Sequence, residues 1–156
     1  MLTTLPLLVA LGAGLVGGVF FAFSTFVMKA LSQLPAAQGV AAMQRINAVV
    51  LNPLFLGLFV GTAVFAGLCV FAGFVPWGTR RSALLLVAGL CYLLGSFGVT
   101  AAFNVPRNER LARLDSASPE AAAYWPVYLR EWRRWNHVRT IASVVSAACA
   151  GAALTP

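Results

Sequence analysis

No charged residue occurs from Leu5 to Val27, from Leu54 to Val75, or from Ser82 to Phe103. A helix needs about 20 consecutive apolar residues to cross the hydrocarbon core of a bilayer, and each stretch is long enough. A fourth stretch, Val138 to Leu154, is shorter and holds Arg139, but it can borrow length from the helix before it. Charged residues make up 10% of the 156 residues, against about 25% in a soluble domain. The chain therefore reads as a single all-α integral membrane domain over residues 1–156. The expected architecture is a four-helix bundle with an amphipathic interfacial helix before the fourth span. The N-terminus carries no Lys or Arg, so the first stretch reads as a retained span rather than a cleavable signal.

The net charge of +7 does not point to nucleic acid, because the basic residues sit in short loops beside the apolar segments. Anionic lipid headgroups are the simpler partner. With four crossings both termini share a side with Arg80 and Arg81. The opposite side carries Lys29, Arg45, Arg107, Arg110, Arg113, Arg130, Arg133, Arg134 and Arg139. The excess of basic residues predicts that this richer side is cytoplasmic and the termini are outside, in a bacterial inner membrane. Cys69, Cys91 and Cys149 fall singly inside spans and read as small apolar residues. Small residues recur every four positions at Ala10, Gly14, Gly18 and Ala22, with Gly57 and Gly61 in the second span. Such stripes allow close helix packing, within the bundle or in a homo-oligomer.

The unusual polar chemistry lies in the connections. Ala36 to Asn52 reads as a helix with Val40, Met43, Asn47, Val50 and Leu54 on one face. Asn47 is then an amide in an apolar stripe, and it needs a partner, either across helices or in a site. Pro106 biases Val105 away from helix, which ends the third span there. Ser118-Pro119-Glu120 reads as a helix start, and Pro126 is expected to kink or divide the helix that follows. From Trp125 to Arg139, helical spacing puts Tyr128, Trp132, Trp135, Asn136 and Arg139 on one face. Arg130, Arg133, Arg134 and His137 fall on the other. A membrane boundary explains the cationic stripe but does not require the aromatic and amide face.

These residues gather at one end of the spans. Arg45, Asn47 and Asn52 come from the first connection, Asn104 and Asn108 from the end of the third span, and Asn136, His137 and Arg139 from the start of the fourth. Phe20, Phe21, Phe23 and Phe26 crowd the same end, and Phe55, Phe59, Phe97 and Phe103 could line the same depth. Together they describe either an aromatic cavity capped by hydrogen-bond donors or a tight bundle with interfacial anchors. One His and four acids, Glu109, Asp115, Glu120 and Glu131, are too few for a protein-bound zinc or di-iron site. No metal or cofactor is therefore expected, and a haem on His137 alone has no support. No acid lies within a predicted span, which disfavours a proton or cation relay.

Four motifs carry a resemblance. They are Gly18-Val-Phe-Phe-Ala-Phe-Ser-Thr-Phe26, Met43-Gln-Arg-Ile-Asn47 with Asn52-Pro53, Asn104-Val-Pro-Arg-Asn108, and Trp132-Arg-Arg-Trp-Asn-His-Val-Arg139. The chain resembles the DUF1772, or anthrone oxygenase-like, family of small membrane proteins over most of its length. The resemblance implies oxidation of an anthrone-type lipophilic aromatic with O2, without flavin or metal. Such a reaction needs a flat apolar pocket, donors for an enolate oxygen and a base. Phe23, Trp132 and Trp135 can supply the pocket. Asn47, Asn104, Asn136, Arg45 and Arg139 are candidate donors, with Asn52 and Asn108 at the substrate. A preorganised donor of this kind is typically worth about 3 to 4 kcal/mol in the barrier. His137 is the obvious candidate base, since imidazole is the side chain that most often serves as a general base. The alternatives are a non-catalytic binding or assembly protein, which predicts no ligand-sized cavity, and a small-molecule transporter, which the missing inverted repeat disfavours.

Overall fold

The computed structural model describes residues 3–75 and 78–155. Five helices and no strand occur among them. Helix α1 spans Thr4–Ser32, α2 Ala36–Val49, α3 Pro53–Gly73, α4 Arg80–Ala112 and α5 Pro119–Ala152. Helices α1, α3 and α4 are long and apolar enough to cross a membrane, which supports an integral membrane protein. The expected fourth stretch is not a helix of its own. It is the C-terminal part of the 34-residue α5, whose first half is strongly charged.

Helix starts follow local capping. The side chains of Asn52, Thr79 and Ser118 accept hydrogen bonds from the backbone N–H of Phe55, Ser82 and Ala121 at 3.0, 3.1 and 3.1 Å. Each satisfies a donor that a helix start would otherwise leave unpaired. Pro53 and Pro119 stand in the first turn, where the missing N–H costs nothing.

Neither interior proline breaks its helix. Pro126 does not divide α5, which is continuous through it. Pro106 does not end the third span either, because α4 runs on to Ala112. The reason lies just before it, in two π-helical stretches, Cys91–Gly98 and Thr100–Asn104. The Val105 N–H bonds to the Thr100 carbonyl, five residues back. The widened turn makes room for the Pro106 ring, and a buried helix can absorb one missing hydrogen bond through its neighbours. Helix α1 likewise extends past Val27, through a π-helical turn at Phe23–Val27. Helix α2 ends at Val49, so Leu54 belongs to α3, where it is exposed.

Helix α5 packs along α1 and against α4, α4 packs against α3, and α3 packs against α1. Close approach comes from Gly17, whose added Cβ would meet Ser143 at 3.1 Å, and from Gly89, where one would meet the Ala66 carbonyl oxygen at 2.5 Å. The expected stripe does not do this work: Gly14, Gly18, Gly57 and Gly61 all face open space. Buried positions on α1 follow Val9, Ala13, Val16 and Phe20, the 3.6-residue period, and a strict four-residue repeat drifts off that face. Interhelical hydrogen bonds add to the packing. Tyr92 donates to the Phe59 carbonyl at 3.1 Å and Ser146 to the Ala88 carbonyl at 2.7 Å.

A second core lies beyond this packing. Met28, Leu31, Val40, Met43, Leu111, Trp125, Tyr128 and Trp132 are buried together. Helix α2 and the end of α4 thus cover the apolar face of early α5, so that face is packed by protein and not left for lipid.

Gly89→Ala should lower stability by about 1 to 3 kcal/mol, because a backbone carbonyl stands where its Cβ must go. Gly14→Ala should leave stability unchanged or raise it slightly. Thermal unfolding in detergent compares them, and equal midpoints would contradict the described approach of α3 and α4.

Candidate active site

Asn136 is wholly buried on α5, and its amide ties α5 to α1. Its Nδ2 donates to the Phe20 carbonyl at 2.7 Å and to Ser24 Oγ at 2.7 Å, both on α1. Its Oδ1 accepts from Arg139 Nη2 at 2.6 Å. One turn on, Thr140 Oγ1 lies 3.0 Å from Ser24 Oγ and donates to the Asn136 carbonyl at 2.8 Å. The π-helical turn of α1 begins at Phe23, beside this insertion.

Arg139 follows from the Asn136 anchor. It is only 5% exposed. Nη1 donates to Thr100 Oγ1 at 3.2 Å and Nη2 to Asn136, both neutral partners. Nε is buried with no partner. The guanidinium carbon lies 4.1 Å from the Phe20 ring centroid and 5.0 Å from that of Trp132, a cation–π setting. Arg107, by contrast, forms an ion pair with Glu131 at 2.9 Å. Arg139 is thus a buried cation without an anion, an arrangement that is costly unless something else requires it.

A cavity of about 470 Å³ opens beside it, within the usual range for a small-molecule site. Phe20 and Phe23 of α1, Phe55 and Phe59 of α3, and Trp132 of α5 supply aromatic walls. Phe59 is stacked on Phe55 at 6.1 Å and on Phe97 at 5.3 Å, which fixes that wall. Arg139, Thr100, Asn108, Asn47, Gln44 and Glu109 provide the polar lining. Asn108 Oδ1 accepts from Tyr128 Oη and Trp132 Nε1, each at 2.8 Å, so the Trp132 ring is held in place. Asn47 Nδ2 approaches Tyr128 Oη at 3.5 Å. Burial raises the Tyr128 phenol, outweighing the opposing effect of the Asn47 contact. It therefore stays protonated and remains a donor to Asn108.

Five expected site residues line this cavity: Phe23, Asn47, Asn108, Trp132 and Arg139. Asn136 stands behind Arg139 as its support. Asn104 is buried nearby, its amide donating to the Trp132 carbonyl at 3.3 Å. Others are placed elsewhere. His137 is exposed on the opposite face of α5, as are Arg130, Arg133 and Arg134. Arg45 is exposed on the outer side of α2. Asn52 is the exposed cap of α3 and also donates to the Val49 carbonyl at 3.0 Å, so its polar atoms are already used. Trp135 stacks on Phe103 at 3.6 Å, away from the cavity. Phe21 and Phe26 point outward. Three polar lining residues were not read from the sequence as part of a site: Gln44, Thr100 and Glu109. Gln44 Nε2 donates to the Leu111 and Leu114 carbonyls, each at 2.9 Å, and so fastens α2 to the end of α4. Glu109 shares the helical face of Val105, Asn108 and Ala112. That spacing was present in the sequence, but it is visible only if the helix continues through Pro106.

Asn108→Ala should destabilise the protein by about 1 to 3 kcal/mol for each buried donor it orphans. The donors are Tyr128 Oη and Trp132 Nε1. Thermal unfolding in detergent tests this, with unchanged stability as the contrary result.

No curated protein and no solved structure matches the chain. The family model for anthrone oxygenase matches residues 43–149. That stretch is well over half of the chain and runs from α2 into the last turns of α5. It includes Asn47, Asn108, Asn136 and Arg139. On this match, the chain belongs to the anthrone oxygenase family.

Proposed function

We propose that the protein is a membrane-embedded oxygenase that oxidises an anthrone-type lipophilic aromatic with O2, using no bound cofactor. The observation that carries this reading is Arg139, a buried cation without a counter-ion on the wall of an aromatic cavity. A site that holds a positive charge ready in an apolar surround suits a ligand that becomes negative during reaction. An anthrone does so, because loss of a methylene proton leaves an enolate. The hydrogen bonds of Arg139 to Thr100 and Asn136 fix the guanidinium on the cavity wall, where its positive charge can stabilise the enolate oxygen. The electron-rich enolate can pass one electron to O2 directly. Recombination at the methylene carbon and loss of water then give the quinone, so anthrone plus O2 yields anthraquinone plus H2O. Phe20, Phe23, Phe59 and Trp132 match a flat tricycle.

The apolar part of α5 from Val138 onward serves in this reading as a fourth crossing, with the basic loops on the cytoplasmic side. A non-catalytic assembly component would need no cavity of about 470 Å³, so the cavity favours the enzyme.

Oxygen uptake by the purified protein in detergent, with anthrone and no added cofactor, tests the proposal after subtraction of spontaneous oxidation. Arg139→Gln should lower the rate about 100- to 1,000-fold. It should not lower the unfolding temperature, since it removes an unpaired buried charge and keeps an amide donor for Asn136. Parental turnover in Arg139→Gln would overturn the assignment.

A further inference from the structure

We propose that Glu109 is the base that removes the substrate's methylene proton and delivers it to water. The proposal rests on the oxygenase reading. That chemistry needs a proton acceptor at the cavity, and His137, the residue whose chemistry suits the role, is exposed on the far face of α5. Glu109 is the one carboxylate that lines the cavity among the described residues. It belongs to the stripe Val105, Asn108, Glu109 and Ala112, spaced three and four residues apart, which turns one face of α4 toward the cavity. Glu109 also lines a second cleft of about 400 Å³, together with Arg110, Arg113 and Glu120. It therefore stands between the apolar cavity and a polar cleft, and its own side chain is exposed. Arg139, on α5, lines the same cavity.

The step is balanced within these groups. The methylene C–H bond breaks, and the proton forms an O–H bond on the Glu109 carboxylate. The electron pair passes into the ring system and leaves the enolate oxygen facing Arg139. Glu109 then loses the proton to water in the cleft and returns to its starting state. Position on a shared wall matters here, because a base acts only within hydrogen-bond reach of the proton it takes.

Exchange separates this step from the later reaction with O2. Under nitrogen, in deuterated buffer, the protein should speed deuterium entry at the anthrone methylene above the protein-free rate. Glu109→Gln should lower both this exchange and aerobic oxygen uptake by about 100-fold or more. Anthrone should still quench tryptophan fluorescence in that variant as it does in the parent. Glu109→Asp should recover part of both rates. Parental exchange and uptake in Glu109→Gln would overturn the role of Glu109 and leave the oxygenase reading intact. Loss of anthrone binding in that variant would make Glu109 a binding group and also overturn it. A parent with neither exchange nor uptake above the blank would bring down the oxygenase reading and this proposal with it.

Discussion

The contact between Asn136 and Arg139 organises the interior. An amide at this depth must satisfy two donors and an acceptor, and Asn136 satisfies them with α1 on one side and the guanidinium on the other. Without the amide, Arg139 would lose the partner that fixes its plane. Without the guanidinium, Asn136 Oδ1 would be buried and unpaired. Each member makes the other affordable in an apolar surround, where isolated polar groups are costly. The pair also sets the spacing of α1 and α5, because the Phe20 carbonyl and the Ser24 hydroxyl are part of the same network.

The π-helical turns belong with this network. The one in α1 begins beside the Asn136 insertion, and the second of those in α4 begins at Thr100, the second partner of Arg139. Thr100 Oγ1 also donates back to the Ser96 carbonyl at 2.8 Å, a local bond that competes with the regular helical ladder. Departures from regular helix thus concentrate where polar groups must be matched inside the protein, in keeping with the tendency of such turns to mark functional sites.

The apolar stretches were legible because missing charge is a strong and local signal. The two faces of the segment from Tyr128 to Arg139 were legible for a related reason: the angular arithmetic requires only an uninterrupted helix. Trouble came where backbone rules met tertiary packing. The local cost of Pro106 is real, but widened turns absorb it, and the assumed break concealed that Glu109 shares a face with Val105 across the proline. Asn52 looked like a site amide because a capping side chain and a ligand-binding one are the same residue type at a helix boundary. Choosing between them takes the hydrogen bonds to Phe55 and Val49. The glycine stripe of α1 is not what brings the helices of one chain together, because a regular repeat says which residues align and not what they face. A π-helical turn has no comparable sequence signature, so the geometry around Thr100 had to come from the structure.

Helix α5 is one unbroken rod from its Ser118 cap to Ala152. Tyr128, Trp132, Asn136 and Arg139 are therefore indexed to one another by residue count alone. Changing a side chain on the outer face, at Arg130 or Arg133, alters only solvent or headgroup contacts. Adding or removing one residue between Tyr128 and Arg139 rotates everything beyond it by about 100°. The cationic stripe would then turn toward the aromatic core, and the buried guanidinium would leave its cavity. On its outer face this segment can tolerate much variation in spelling, but nowhere between Tyr128 and Arg139 much variation in length.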